Sequence, residues 1–178
     1  TNLTPMAEIH FTDVRVPADH LLGAAGQGPA QMERFLNDAR ILAAAQAVGI
    51  AAGAFDRTLA YVKEREVFNR KLAVFEITRH KIADMAAALE TARVMVYQAA
   101  RQWDAGNGGI LPAVAKLAAC RAARVVTDEA VQLFGGYGYM KEQEVERFFR
   151  EAKAIALLLG GETALKRKIA DDLIGVLK

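Results

Sequence analysis

Cationic and aromatic residues lie close together between residues 63 and 71. Phe68 is accompanied there by Lys63, Arg65, Arg70 and Lys71. A guanidinium group matches the geometry of phosphate oxygens, and an aromatic ring can stack on another ring. This stretch therefore suits a ligand that carries a phosphate and a planar ring. The alternative is a solvated basic end of a helix, which the helix dipole favours.

A second stretch, at residues 131–139, is rich in glycine. Gln132 precedes the pair Gly135-Gly136, and Gly138 follows two residues later. Glycine lets the backbone approach a ligand closely and exposes amide groups to an anion. The alternative is a glycine cap that ends a helix and begins a turn.

A third stretch holds a carboxylate next to apolar residues. Glu162 follows the apolar run 154–159 and the pair Gly160-Gly161, and it precedes Thr163. A carboxylate beside apolar surface can have a raised pKa and act as a general base. Alternatively, Glu162 and Thr163 begin a helix, where a carboxylate interacts favourably with the helix dipole.

No metal site is expected from the sequence. The histidines are His10, His20 and His80, and none forms the Glu-x-x-His pair that metal-binding helical bundles use. Cys120 lies among alanines in the middle of a predicted helix, where a cysteine is usually a small buried apolar residue.

The three stretches lie at the ends of predicted helices. Alanine, leucine and arginine favour helix, and glycine-rich segments separate the helical runs. Helices are predicted from Gln31 to about Glu66, from about Glu76 to Asp104, from near Pro112 to Phe134, from about Glu142 to Leu158 and from about Thr163 to Leu177. Short connections make consecutive helices antiparallel, so we expect an all-α fold, an up-down bundle of four to five helices.

The second predicted helix carries an apolar stripe with steps of four and three residues, which is typical of a packing seam. Its members are Met85, Leu89, Ala92, Val96, Ala99 and Trp103. The segment Ala7–Val16 differs, because its polar and apolar residues alternate and Pro17 follows. This pattern predicts a short β segment before the bundle, without a partner strand to pair with.

Composition excludes several classes of protein. The 178 residues are 53% hydrophobic and 25% charged with a net charge of +2, which excludes a disordered chain and gives no basic face for nucleic acid. A single cysteine excludes an internal disulfide. The most apolar window, residues 41–55, is shorter than the roughly 20 residues of a membrane span, so we expect a core helix and no membrane partner. No sorting signal is evident, and a cytoplasmic location is the default expectation.

Several motifs, taken in order, resemble one known family. They are Phe11-Thr12-Asp13-Val14-Arg15-Val16-Pro17, Arg65-x-x-Phe68, Lys81-x-Ala83-Asp84-Met85, Ala130-Val131-Gln132-x-x-Gly135-Gly136-x-Gly138-Tyr139 and Val145-Glu146-Arg147-x-x-Arg150-Glu151-Ala152-Lys153. This set is similar to the C-terminal part of the acyl-CoA dehydrogenases. The resemblance implies that residues 1–28 are the end of a middle β-domain with its connection, and that residues 29–178 are the C-terminal helical bundle domain.

The resemblance also implies a reaction and its partners. In this family a carboxylate removes the α-proton of an acyl-CoA thioester while a hydride passes from the β-carbon to FAD. The implied partners are an acyl-CoA substrate, an acceptor of the electron-transfer flavoprotein type and further copies of the chain in a homo-oligomer, a dimer or tetramer. A role in fatty acid metabolism follows. The family builds its site from three domains, so we expect the isolated chain to be inactive.

Roles for individual residues follow only from this resemblance. The residues expected to contact the FAD of a neighbouring subunit are Arg65, Phe68, Gln132, Gly135 and Gly136. Thr163 is expected to have the FAD-binding role of the threonine in the family's last loop, in a shifted register. Asn37 and Arg40 are expected on the side that binds coenzyme A.

The catalytic base is where the sequence departs from the family. The usual position falls on Leu159 or Gly160, and the position used by a subgroup falls on Ala39. Neither carries a carboxylate, so we expect the nearest one, Glu162, to be the base. Two alternatives keep the fold: a flavin-dependent monooxygenase, which needs no such base, and a non-catalytic partner subunit that completes another chain's flavin site.

Overall fold

The computed structural model describes residues 7–175, and helices dominate it. Five α-helices occur in this part of the chain: α1 Gly28–Glu64, α2 Glu76–Asp104, α3 Leu111–Phe134, α4 Val145–Leu157 and α5 Glu162–Ile174. A short antiparallel ladder joins β1 (Glu66–Val67) to β2 (Arg70–Lys71) between the first two helices. Short 3-10 turns occur at Ala18–His20, Leu72–Val74, Gly135–Tyr139 and Lys141–Gln143. The predicted helical bundle is thereby confirmed.

The helix boundaries agree with local signals in the sequence. The predicted bounds of α2 are confirmed at both ends, and α1 begins at Gly28 with a proline in its first turn. The predicted start of α4 at Glu142 is wrong, because Glu144 has a left-handed backbone with φ of 60° and α4 begins only after it. The predicted end of α5 at Leu177 lies outside the described residues.

Helix α3 lies at the centre and packs against the other four helices. Alanine is the commonest buried residue on both α1 and α3, and Ala44, Ala47, Ala115 and Ala119 are fully buried. They allow the two helix backbones to approach closely. The predicted seam of α2 is confirmed from Met85 to Ala99, whereas Trp103 at its end is partly exposed.

Helix α1 is long and apolar enough to cross a membrane by length and composition alone. About a third of its most apolar window is buried inside the bundle. The core helix of a bundle has the same composition.

The alternating segment before the bundle forms no hydrogen-bonded strand in the described residues. The predicted strand at Ala7–Val16 is therefore not formed there. A single strand leaves its backbone groups unpaired, and no backbone hydrogen bond joins it to another segment of residues 7–175. Its apolar side chains are exposed, namely Ile9, Phe11, Val14 and Val16. The domain division after residue 28 stays a prediction.

Candidate functional site

A cavity of about 430 Å³ opens where the end of α1 meets the end of α3. Its walls include Tyr61, Arg65, Phe134, Gly135, Gly136 and Tyr137. The fold thus joins two of the stretches that the sequence singled out, the basic corner and the glycine-rich segment, although about 70 residues of chain separate them. The volume lies within the range of small-molecule sites, about 300–1,000 Å³.

Aromatic rings form one wall of this cavity. The rings of Tyr61 and Phe134 stack with centroids 4.0 Å apart and planes 13° apart. The Tyr61 hydroxyl donates a hydrogen bond of 3.4 Å to the carbonyl oxygen of Phe134. Because this stack joins the last turns of α1 and α3, it fixes the position of the cavity wall.

A guanidinium group and an accessible stretch of glycine backbone lie beside these aromatic rings. The Arg65 guanidinium is 5.3 Å from the centre of the Tyr137 ring, within the range of a cation–π contact. Gly135 ends α3 with φ of 60°, a conformation that glycine adopts without strain. An added Cβ on Gly136 would meet no atom within 4 Å, so its backbone faces open space. A cation, accessible amides and aromatic rings are groups that can hold a phosphate and a planar ring.

Phe68 is not part of the cavity wall and lies at the tip of the β1–β2 hairpin. Phe68 and Asn69 form its two-residue turn, with φ of 50° and 59°. A two-residue hairpin turn whose twist matches that of the strands requires a left-handed backbone at both of its residues. Asparagine tolerates this conformation, whereas a bulky phenylalanine there is unusual. The Phe68 side chain is 91% exposed, so this hairpin presents an aromatic ring to whatever lies outside the chain.

The structure does not bring every predicted cofactor residue to the cavity wall. Gln132 is exposed on the last turn of α3, and Thr163 is exposed in the first turn of α5. Neither belongs to the lining of the 430 Å³ cavity. Their predicted contacts with FAD stay predictions.

Asn37 and Arg40 lie together on one face of α1, and both are more than nine-tenths buried. Nη1 of Arg40 donates to the side-chain oxygen of Asn37 at 2.7 Å and to Oε1 of Glu33 at 3.0 Å. The buried Nε of Arg40 has no hydrogen-bond partner. Their predicted role in binding coenzyme A is not tested by this arrangement.

The surroundings of Glu162 oppose a raised pKa. Hydrogen bonds from Arg121 and Lys166, 2.6 and 2.7 Å from Oε1, lower the pKa of this carboxyl to about 2. The expectation of a raised pKa is therefore wrong, because the two cations outweigh the apolar residues beside Glu162. The alternative interpretation is confirmed, since Glu162 is the first residue of α5.

The space next to Glu162 is small. This cavity has a volume of about 40 Å³, and its walls include Cys120, Arg121, Lys153 and Leu165. That volume holds about one or two water molecules and no thioester. Cys120 is buried as predicted, and burial raises the pKa of its thiol.

Sequence reasoning missed a buried lysine. Lys116 on α3 has no exposed surface, and its Nζ donates to the carbonyl oxygens of Leu158 and Gly160. These residues form the turn between α4 and α5, where the resemblance put the usual position of the catalytic base. The sequence contains a signal for this burial, because Lys116 lies on a helix face whose other positions, at steps of four and three residues, are small or apolar. These positions are Pro112, Ala119, Ala123, Val126 and Ala130.

Comparison with known proteins identifies the family. The family model described as acyl-CoA dehydrogenase, C-terminal domain, matches residues 26–174. The probable acyl-CoA dehydrogenase FadE25 of Mycobacterium tuberculosis is 39% identical over 93% of this chain and 43% of its own length. The short-chain specific acyl-CoA dehydrogenase of Clostridium acetobutylicum is 43% identical over 92% of this chain and 43% of its own length.

Solved structures show the same fold. Butyryl-CoA dehydrogenase from Megasphaera elsdenii superposes with a TM-score of 0.89 at 39% identity, covering 92% of this chain and 43% of that one. A structure titled PigA with FAD and proline has a TM-score of 0.88 at 28% identity, covering 93% and 43%. The chain thus spans less than half the length of the relatives that it matches.

Proposed function

The chain belongs to the acyl-CoA dehydrogenase family as its C-terminal helical domain, and from this premise we propose that the polypeptide carrying it is an FAD-dependent acyl-CoA dehydrogenase. The reaction is the α,β-dehydrogenation of an acyl-CoA thioester. Bound FAD accepts the hydride in such a reaction. The observation that carries the proposal is the meeting of Arg65, Gly135 and Gly136 at one cavity with aromatic walls.

The residues of this cavity fit the ADP part of FAD. Arg65 offers a fixed cation to a pyrophosphate, and the backbone at Gly136 is open to a close approach. Tyr137 is about half exposed and offers a ring surface next to that cation. We assign Phe68 and Gln132 to the same site, where they contact the cofactor from outside the cavity wall. Thr163 follows Glu162, which pairs with Arg121 about 20 Å along α3 from Gly135, and we assign Thr163 a separate contact with FAD.

We further propose that this cofactor belongs to a neighbouring copy in a homo-oligomer. The cavity lies at the surface, and Phe68 beside it extends from the hairpin with 91% of its surface exposed. Contact with a second chain would cover this ring, and burying an aromatic side chain contributes about 1.5–3 kcal/mol. A dimer or tetramer meets this requirement.

Substrate contacts are assigned to α1, and proton removal is assigned to Glu162. Asn37 and Arg40 lie on the coenzyme A side in this proposal. Glu162 is the nearest carboxylate to the turn Leu158–Gly160, but it must leave Arg121 and Lys166 to accept a proton from a substrate carbon. An acceptor of the electron-transfer flavoprotein type, a place in fatty acid metabolism and a cytoplasmic location complete the proposal.

Anaerobic flavin reduction tests this function. The complete polypeptide, loaded with FAD, is mixed with straight-chain and branched acyl-CoA thioesters, and bleaching of the oxidised flavin spectrum is recorded. At least one thioester is expected to bleach the flavin. Failure of every thioester with a fully loaded protein would refute the proposal.

The missing carboxylate at Leu159, Gly160 and Ala39 favours two other functions. A flavin-dependent monooxygenase needs no α-proton base, and its chemically reduced flavin would consume oxygen rapidly without responding to acyl-CoA. A non-catalytic partner subunit would be colourless alone and would gain flavin on mixing with a second chain. The same protein preparation distinguishes all three.

A further inference from the structure

Lys116 is a charged residue in the most buried part of the bundle. Its side chain has no exposed surface, and residues 7–175 place no carboxylate in hydrogen-bond contact with it. Burial lowers the pKa of its ammonium, and the nearby Arg40 guanidinium acts in the same direction. Keeping a lysine in such a place costs free energy unless its hydrogen bonds are satisfied.

The acceptors of Lys116 are backbone carbonyls of a single turn. Its Nζ donates to the oxygen of Gly160 at 2.9 Å and to the oxygen of Leu158. One ammonium thereby connects the first half of α3 to a carbonyl group before Leu159 and a carbonyl group after it. Hydrogen bonds from a charged donor are about twice as strong as neutral ones.

The turn itself needs such support. Leu159 has φ of 55° and Gly160 has φ of 89°, so two consecutive residues have left-handed backbones. Leucine rarely adopts this conformation, and it costs about 1–2 kcal/mol unless the surroundings hold it. Leu159 also packs against the core, which adds a second contact that holds the turn.

We propose that Lys116 is a positioning residue that holds the turn between α4 and α5 in one conformation. Resting on the proposed function, this conformation sets where the residues of the turn, and Glu162 directly after it, lie relative to the reacting thioester. A neutral side chain of similar length would fill the space but would leave both carbonyl oxygens without a donor.

The test compares Lys116→Met with Thr127→Val in the complete FAD-loaded polypeptide. Thr127 is a matched control, because it is also fully buried on α3, but its hydroxyl donates to the carbonyl oxygen of Ala123 within the same helix. Hydrogen exchange is measured for peptides covering residues 155–166 and for peptides of α2. Rate constants of flavin reduction are measured over a range of acyl-CoA concentrations.

In Lys116→Met we expect hydrogen exchange across residues 157–165 to be roughly tenfold faster, because loss of the two hydrogen bonds from the ammonium destabilises only this region. Exchange in α2 is expected to stay unchanged. The flavin reduction rate at saturating substrate is expected to fall roughly tenfold or more, with little change in the concentration for half-maximal rate. Thr127→Val is expected to change neither quantity. A residue with only a general structural role would lower protection in several helices together.

The outcomes separate this inference from the proposed function. Unchanged exchange across the turn in a folded Lys116→Met protein overturns the inference. If exchange across the turn is faster in Lys116→Met but acyl-CoA reduces the flavin of neither protein, the positioning of the turn is supported and the proposed function is overturned. Faster local exchange with an unchanged reduction rate overturns the link to the reaction.

The unmodified protein provides a second measurement if Lys116→Met does not fold. Reductive methylation is followed by mass spectrometry for each lysine. Lys116 is expected to remain unmodified while the exposed Lys63 and Lys141 react. Methylation of Lys116 at the rate of those two residues would overturn the inference.

Discussion

Arg121 on α3 donates a hydrogen bond of 2.6 Å to Oε1 of Glu162, the first residue of α5. Lys166, one helical turn later, lies 2.7 Å from the same oxygen. The two cations lower the pKa of Glu162 to about 2. Glu162 is therefore ionised at neutral pH, but it accepts a proton only weakly while these contacts persist.

Replacing Glu162 decides whether it removes the proton. If Glu162 is the base, Glu162→Gln is expected to slow flavin reduction by roughly 100-fold or more, with FAD content retained. Arg121→Ala is expected to raise the pKa of Glu162, so the acidic limb of the pH–rate profile moves to higher pH. Glu90→Gln, which changes an exposed carboxylate on α2, is the control. An unchanged reduction rate in Glu162→Gln removes Glu162 from the mechanism.

Replacing Arg65 tests the proposed cofactor cavity. Loss of one charged hydrogen bond costs about 1.5–3 kcal/mol, so Arg65→Ala is expected to weaken FAD binding roughly 10- to 100-fold. Arg79→Ala is the matched control, because Arg79 is an exposed arginine that lines a different cavity, near the start of α2. Titration of the FAD-free protein with FAD gives both affinities. Equal affinities for the two variants would show that Arg65 does not contact FAD.

Two neighbouring glycines are expected to respond differently to alanine. A Cβ on Gly138 would lie 2.4 Å from the carbonyl oxygen of Val131, a backbone atom that cannot move independently of α3. Gly138→Ala is therefore expected to lower the free energy of unfolding by about 1–3 kcal/mol. Gly136→Ala has open space around its Cβ, and its stability is expected to change by less than about 0.5 kcal/mol.

The same pair separates stability from binding. Gly136→Ala is expected to weaken FAD binding, because its methyl group would occupy the space in front of the backbone amides. Chemical denaturation measures the free energy of unfolding of each variant, and titration with FAD measures its affinity for the cofactor. Equal losses of stability in both variants would contradict the geometry of the turn after α3.

Acidic pH is expected to destabilise the bundle through carboxylates that are paired in the folded state. The pKa of Glu144 is lowered chiefly by its hydrogen bonds from Arg57, and the pKa of Glu146 is lowered by Arg150. A carboxyl group whose pKa is lower in the folded state than in the unfolded state stabilises the fold at a pH above its unfolded-state pKa. This contribution is lost as the pH falls through the folded-state pKa. The melting temperature should therefore fall as pH decreases below about 5.

Glu144→Gln tests the origin of this acid sensitivity. The Arg57–Glu144 pair joins α1 to the residue before α4, with Nη2 of Arg57 2.5 Å from Oε2 of Glu144. The variant is expected to show a smaller fall in melting temperature between about pH 5 and pH 2. Arg57→Ala should have a similar effect. A fall as steep as that of the original protein would assign the acid sensitivity to other carboxylates.

Local features explain what could be predicted from the sequence. The bounds of α2 follow from its uninterrupted helix-forming residues and from the glycines after Asp104, and the burial of Met85 and Leu89 follows from their spacing along one face. The stretches around Arg65 and Gly135 were recognised by residue type. Their meeting at one cavity depends on the antiparallel packing of α1 against α3, which residue types alone do not specify.

The environment of individual charges was not predictable in the same way. The sequence placed Glu162 next to apolar residues, yet its pKa is governed by Arg121, which lies 41 residues earlier in the chain. Likewise, Ala7–Val16 has the pattern of a strand, but a strand requires a partner that the described residues do not supply.

The amino-acid sequence by itself determined the helices, the apolar seams and the family, because these depend on residue order over short spans and on motifs. Only the tertiary structure decided which distant groups the charged side chains meet: Arg121 meets Glu162, and Lys116 meets the turn at Leu158–Gly160. The physical reason is that electrostatic energies and hydrogen bonds depend on distance in space and on burial, and both are set by how the helices pack.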